Sequence, residues 1–156
     1  MRTPYRRATT SDLDRLLELQ RGFYVEQGYP YDAAAMRHVW PRLLTDPWLG
    51  QAWLAEEDRQ AVAYVVATLG YSLEHLGRDA FVDELYVAPS HRGRGLGRAA
   101  LAQVECWCRH QGVRVLLLEV EHVNDDAARL YERAGFKSGT RHLLRKDIPV
   151  GGQVSK

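Results

Sequence analysis

His91-Arg92-Gly93-Arg94-Gly95-Leu96-Gly97 interleaves three glycines with basic side chains, and Arg98 follows directly. Glycine has no Cβ, so this segment turns sharply and brings backbone N–H groups close to a ligand. The surrounding cations make that ligand an anion. Upstream, Phe81-Val82-Asp83-Glu84-Leu85-Tyr86-Val87 is rich in β-branched and aromatic residues and predicts a strand. Downstream, Leu101, Val104, Trp107 and Cys108 recur at helical spacing, so a helix N-terminus adds its positive dipole end to the turn. The sequence therefore reads as strand, phosphate cradle and helix.

Three kinds of phosphate loop compete for this pattern. Gly95-x-Gly97-x-x-Ala100 matches a dinucleotide fingerprint, and Glu119 stands where a ribose-binding acid is expected. Against it, Ala88-Pro89-Ser90-His91 separates the strand from the first glycine, which in a dinucleotide fold nearly abuts the strand. The nucleoside-triphosphate loop fails because no Lys-Ser or Lys-Thr follows the last glycine. What remains is Arg92-x-x-Gly95-x-Gly97, then a helix, the apolar run Val113 to Val120, Asn124, and Leu130-Tyr131-Glu132-Arg133-Ala134-Gly135-Phe136. From Phe81 to Phe136 this resembles the GCN5-related N-acetyltransferase (GNAT) superfamily, and the N-terminal half, with Gly22 to Pro30, is similar to many bacterial members.

The resemblance implies an α/β fold with a mixed, splayed β-sheet flanked by helices. Residues 1–150 would form one acyl-coenzyme A N-acyltransferase domain, with 151–156 a flexible tail. It implies acetyl transfer from acetyl-coenzyme A to a primary amine by direct attack. Backbone from Gly93 through Leu96 and Gly97 to Arg98 would hold the pyrophosphate, with Arg92, Arg94 and Arg98 neutralising charge. Leu85, Tyr86 and Val87 would pair with the pantetheine arm like an added strand, while Asn124 and Ala127 would lie beside it. Tyr131 matches the family's general acid; a phenol of pKa about 10 can protonate a departing thiolate.

An ammonium must lose a proton before attack, and Asp83 or Glu84 can accept it. Alternation along a regular strand turns only one of them toward the site, although a bulge would change which. By similarity to polyamine-type members of the family, Asp83 is favoured for acceptor contact or base, with Glu84 close behind. Glu26, with Tyr24, Tyr29 and Tyr31 nearby, lies in the region that usually forms the acceptor wall in this family, and Glu119 ends the fifth strand, so the resemblance implies that Tyr24, Glu26 and Glu119 contact a cationic acceptor. Glu74 precedes the strand without a definite place. A non-catalytic acyl-coenzyme A sensor, or an enzyme acting on protein N-termini or lysines, are the alternatives. Similar proteins frequently form homodimers.

The chain has 156 residues and a net charge of +1, which gives no global case for nucleic acid or an anionic membrane. Its two cysteines, Cys106 and Cys108, diverge on a helix and are poorly placed for a disulfide, a metal pair or a nucleophile, which fits a reducing cytoplasm. The six histidines are scattered without ligand spacing, so no metal is expected. No run has membrane-spanning length or the form of a signal peptide.

The remaining elements follow from pattern and punctuation. Tyr5–Thr9 reads as a short strand, Ser11-x-x-Asp14 as a capping box, and Leu13 onward as a helix ending near Gly28. Asp32–Leu44 reads as a second helix kinked or divided at Pro41. Gln51–Glu56 and Gln60–Tyr71 read as a hairpin turning at Glu57-Asp58-Arg59. The strand-helix-strand sequence after Phe81 implies a parallel pair. Asp125–Ala134 reads as a helix, and His142-Leu143-Leu144 is strand-like.

Overall fold

The computed structural model describes residues 4–150. Its elements are β1 (Tyr5–Arg7), α1 (Leu13–Gln27), α2 (Ala33–Thr45), β2 (Gly50–Glu57), β3 (Gln60–Ser72), β4 (Gly77–Val87), α3 (Leu96–His110), β5 (Val115–Leu118) and α4 (Asp125–Arg133). Five strands form one sheet in the order β1-β2-β3-β4-β5. Neighbours are antiparallel except β4 and β5, which are parallel as the α3 crossover requires. The mixed sheet flanked by helices is the architecture expected. The tail at 151–156 lies outside the described residues.

Local chemistry explains most boundaries. Gly28, at φ 71°, closes α1 in the left-handed conformation that glycine adopts cheaply. The box expected at Ser11 and Asp14 sits instead at Thr9 and Asp12, where Asp12 accepts from the Thr9 N–H at 2.9 Å. The shift has a cause: Arg6 grips both Asp12 oxygens at 2.8 and 2.7 Å and fixes that carboxylate. Asp32 caps α2 by accepting from the Ala35 N–H at 3.0 Å. Pro41 does not divide α2, because Trp40 and Leu44 anchor that turn in the core and the Thr45 hydroxyl donates to the Pro41 carbonyl at 2.8 Å. Asp58 and Arg59 both have positive φ, as a two-residue hairpin turn demands.

The sheet has a different core on each face. Trp53, Val65, Ala67, Ala80 and Val82 pack with Ala100, Leu101, Val104 and Cys108 of α3. Ala52, Leu54, Tyr64, Val66 and Tyr86 pack with Leu16, Leu17 and Leu19 of α1 and Trp40 and Leu44 of α2. β3 is central and buried from Val62 to Ala67, so both helical layers rest on it.

Two expectations fail at the C-terminal side. β5 is shorter than Val113–Val120, and no strand forms around His142-Leu143-Leu144, where Leu143 and Leu144 are exposed. So short an apolar run supplies few ladder bonds, and nothing in its immediate sequence fixes a register. Glu74, before β4, pairs with Arg141 at 2.7 Å. Among the described residues no helix is long and apolar enough to cross a membrane.

Candidate active site

After β4 the chain makes a short turn through Pro89–His91 and enters the glycine segment. Gly93 and Gly95 have φ of 74° and 83°, a region costly for residues with a Cβ, and Gly95 is the N-cap of α3. The backbone N–H groups of Gly93 through Arg98 donate to no acceptor among the described residues; the first intrahelical bond runs from Ala99 to Gly95 at 3.0 Å. The turn thus presents a row of free donors at a helix N-terminus. Gly97 has another job. A Cβ there would meet Leu130 Cδ2 at 2.9 Å, so this glycine lets α3 and α4 approach.

The basic side chains of the turn are largely engaged within the chain. Arg92 donates to the Val87 carbonyl at 2.9 Å and to Glu26 at 2.6 Å, with its guanidinium over the Tyr86 ring at 5.6 Å. Arg94 and His91 both reach Glu57, at 3.2 and 3.0 Å. Arg98 is exposed and makes no side-chain hydrogen bond or ion pair among the described residues. Glu26 is thus tied to the glycine turn through Arg92.

Beside the turn the sheet opens. β4 and β5 pair from Asp79 with Val115 to Val82 with Leu118, and there the pairing stops. β4 continues through Leu85, Tyr86 and Val87, bonded to β3 on one side and without a strand on the other. At that same point β4 bulges: Val82 faces Ala67 and Glu84 faces Val66, leaving Asp83 as the additional residue. Asn124 caps α4, accepting from the Ala127 N–H at 3.1 Å. Tyr131 packs from α4 against the α3-side core, edge to face with Phe136 at 5.9 Å. Its hydroxyl makes no hydrogen bond among the described residues, and burial raises its pKa, so it holds its proton.

On the other face a cavity lies between α1, α2 and the bulge, with Asp83 and Glu84 both in its lining. Both reach the same cavity because the bulge breaks the alternation that a regular strand would impose on them. Glu84 is an acceptor hub. Gln20 donates to its two oxygens at 3.1 and 3.0 Å, Tyr24 donates at 2.7 Å and Tyr64 at 2.8 Å. Burial raises the Glu84 pKa while these donors pull it back, and Asp83 nearby pushes it up further. Gln20 in turn accepts from the Trp40 indole at 2.9 Å.

Asp83 accepts no hydrogen bond among the described residues, and desolvation by the surrounding chain raises its pKa. Tyr24 keeps its proton strongly, through burial and then its bond to Glu84. Tyr29 reaches across the opening to Glu121 at 2.6 Å, and Tyr31 donates to the Leu17 carbonyl at 3.1 Å. Glu119 is exposed just beyond β5 and acts on Tyr29 only through its charge.

Gln20, Tyr64 and Trp40 were not foreseen. Gln20 had a readable signal, since it interrupts the apolar stripe of α1 four residues after Leu16 and four before Tyr24. Tyr64 had little, being one aromatic in an apolar strand. Neither cysteine takes part: Cys108 is buried, its thiol pushed up to about 11 by desolvation, and Cys106 is exposed on α3.

This geometry has close counterparts. An integron cassette protein from the mobile metagenome of Cole Harbour Salt Marsh is 38% identical, with a TM-score of 0.85 over 94% of this chain and 91% of that one. The streptothricin acetyltransferase of Streptomyces lavendulae is 40% identical over 55 residues, 35% of this chain and 29% of that protein. An aminoglycoside N(6')-acetyltransferase type 1 of Stenotrophomonas maltophilia is 29% identical over 138 residues, covering 75% of this chain and 88% of that one. The chain spans only 29% to 58% of the length of four curated relatives that it matches, the streptothricin acetyltransferase among them. The model of the acetyltransferase (GNAT) family matches residues 13–136, from the start of α1 past the end of α4. That match takes in well over half of the residues, and the chain belongs to the GNAT acetyltransferase family.

Proposed function

We propose that the protein transfers an acetyl group from acetyl-coenzyme A to a primary amine by direct attack, without a covalent enzyme intermediate. The observation that carries this reading is a coincidence of three features. β4 loses its β5 partner, bulges to expose a carboxylate, and ends in a turn of free N–H groups. The turn suits a pyrophosphate, and the unpaired edge at Leu85 to Val87 suits an extended amide-bearing arm. Arg98 is available to phosphate, whereas Arg92 and Arg94 would exchange Glu26 and Glu57 for it.

Acetyl-coenzyme A supplies a thioester carbonyl as electrophile and a thiolate as leaving group. The residues divide the proton work. Asp83, without a donor of its own, takes a proton from the incoming ammonium, directly or through water, and frees the nitrogen lone pair. Tyr131, protonated, donates to the departing sulfur and is reprotonated by the proton the nitrogen sheds as it becomes an amide. A backbone N–H on the unpaired stretch of β4 stabilises the oxyanion, a type of donor whose loss costs about 100 to 1,000-fold. Glu84 holds Tyr24, Tyr64 and Gln20 in place. We assign the activity to one domain, residues 1–150, in a reducing cytoplasm, where Cys106 and Cys108 stay as thiols.

Calorimetric titration with acetyl-coenzyme A, with NAD in parallel, tests the cofactor. Micromolar binding of acetyl-coenzyme A and none of NAD is expected, and the reverse would overturn the reading. A free-thiol release assay over amines tests the transfer; cofactor binding with no release from any amine would leave the non-catalytic sensor.

A further inference from the structure

The cavity beside the bulge is small, lopsided in polarity and able to satisfy one positive charge. Its volume is about 180 Å³. Met36, Val39 and Leu43 of α2 and Val66 of β3 line it with apolar groups, and Trp40 adds an aromatic wall. Asp83 and Glu84 add two carboxylates to the lining. Four hydrogen bonds from Gln20, Tyr24 and Tyr64 already fill Glu84. Asp83 has none among the described residues, and no Lys or Arg lines the cavity.

We infer that the acceptor is a small primary amine carrying one ammonium on an apolar body, such as an arylalkylamine or alkylamine; this rests on the acetyl-transfer reading above. The ammonium meets Asp83 at the point where β4 and β5 part, so the nitrogen lies next to the opening that would admit a thioester. The body fills the space between α2 and Val66. An apolar cavity of about 150 Å³ takes up benzene, so this one holds a single ring or a chain of roughly six carbons. A second ammonium or several hydroxyls held inside it would face Met36, Val39 and Leu43 with no partner, a desolvation cost that a polyamine or amino sugar escapes only by leaving those groups outside, past the exposed Val39. The aminoglycoside and streptothricin named in two relatives are therefore poor fits to this chain.

Three measurements on the full-length protein test this. Calorimetry first establishes acetyl-coenzyme A binding, and its absence overturns the underlying reading. Thiol release is then followed with 2-phenylethylamine and hexylamine against spermidine, an aminoglycoside, streptothricin and a lysine peptide. The two apolar amines are expected to exceed the others in kcat/KM by about tenfold or more, the scale on which a hydrophobic pocket discriminates. Cofactor binding with faster turnover of the polycations or the peptide, or with no turnover of the apolar amines, overturns the acceptor class alone. Finally, Val39→Trp narrows the mouth at a side chain that is 59% exposed, so the core stays intact. It is expected to raise KM for 2-phenylethylamine about tenfold with acetyl-coenzyme A binding unchanged; an unchanged KM would place the acceptor elsewhere.

Discussion

The two faces of the sheet are built from the same strands by opposite rules. On the α3 face, Trp53, Val65, Val82, Leu101 and Val104 form an apolar core, closed by Trp53 and Trp107 edge to face at 5.4 Å. On the α1–α2 face, comparable apolar residues surround Gln20 and Glu84, whose polar atoms are satisfied by one another and by Tyr24, Tyr31, Tyr64 and Trp40. A packed apolar face supplies stability. A satisfied buried polar network beside a cavity supplies a fixed shape and a fixed charge, at the cost of desolvating a carboxylate. The difference teaches where to look for chemistry in this molecule: on the face that breaks the apolar rule, at the residue where the break is made.

The sharpest way to split the faces is Gly95→Asp. A side chain and a negative charge at a left-handed N-cap are expected to abolish acetyl-coenzyme A binding in calorimetry. The strained left-handed backbone should lower the melting temperature without unfolding the protein, and retained micromolar binding would remove the glycine turn from the cofactor site. Next is Leu101→Ala, which hollows the α3 core. With Leu101 1% exposed, a loss of about 3 kcal/mol in denaturant unfolding is expected. Turnover per folded molecule should be preserved, and a loss of turnover with intact folding would show that the faces are not separable.

Tyr131→Phe removes a hydroxyl that makes no hydrogen bond among the described residues, so stability should change little. Turnover is expected to fall about 100-fold with cofactor binding unchanged, and unchanged turnover would end its role as acid. The smallest effect belongs to Asp12, outside both cores. The Arg6 guanidinium, with the Thr9 N–H, lowers its pKa from 3.8 to about 2 against the opposing effect of burial. Its stabilisation is complete above pH 3.8 and is lost as pH falls toward 2, the sense for a carboxylate depressed on folding. Arg6 is 43% exposed, so Asp12→Asn should remove only about 1 kcal/mol near neutrality and flatten the acid limb of thermal stability. An unaltered limb would assign acid sensitivity to other carboxylates.

Much of this was legible in the chain. The strand-turn-helix around Gly93 and Gly95, the parallel pair flanking α3, Gly28 as a stop and Asp32 as a cap follow from local steric and hydrogen-bonding rules that travel with sequence. Glu26 was less legible, because what decides its place is Arg92, 66 positions along the chain. The failed strand at His142 shows the limit of short apolar runs, whose pairing depends on an edge that sequence does not identify. Gln20 was visible as a polar break in an apolar stripe, but its bonds to Glu84 and Trp40 required three elements to meet.

Residue order by itself determined the cradle, the order of the elements and the apolar periodicities, because each rests on interactions within a few residues. The face on which Glu84 lies was a tertiary decision. With strict alternation it would share the α3 side with Ala80 and Val82, in the apolar core. The bulge at Asp83 slips the register by one residue, turns Glu84 and Tyr86 to the α1–α2 side and leaves Asp83 unpaired at the mouth of the cavity. Only the assembled sheet decides where that slip falls, since β3 must stay bonded to β4 while a buried carboxylate finds Gln20, Tyr24 and Tyr64.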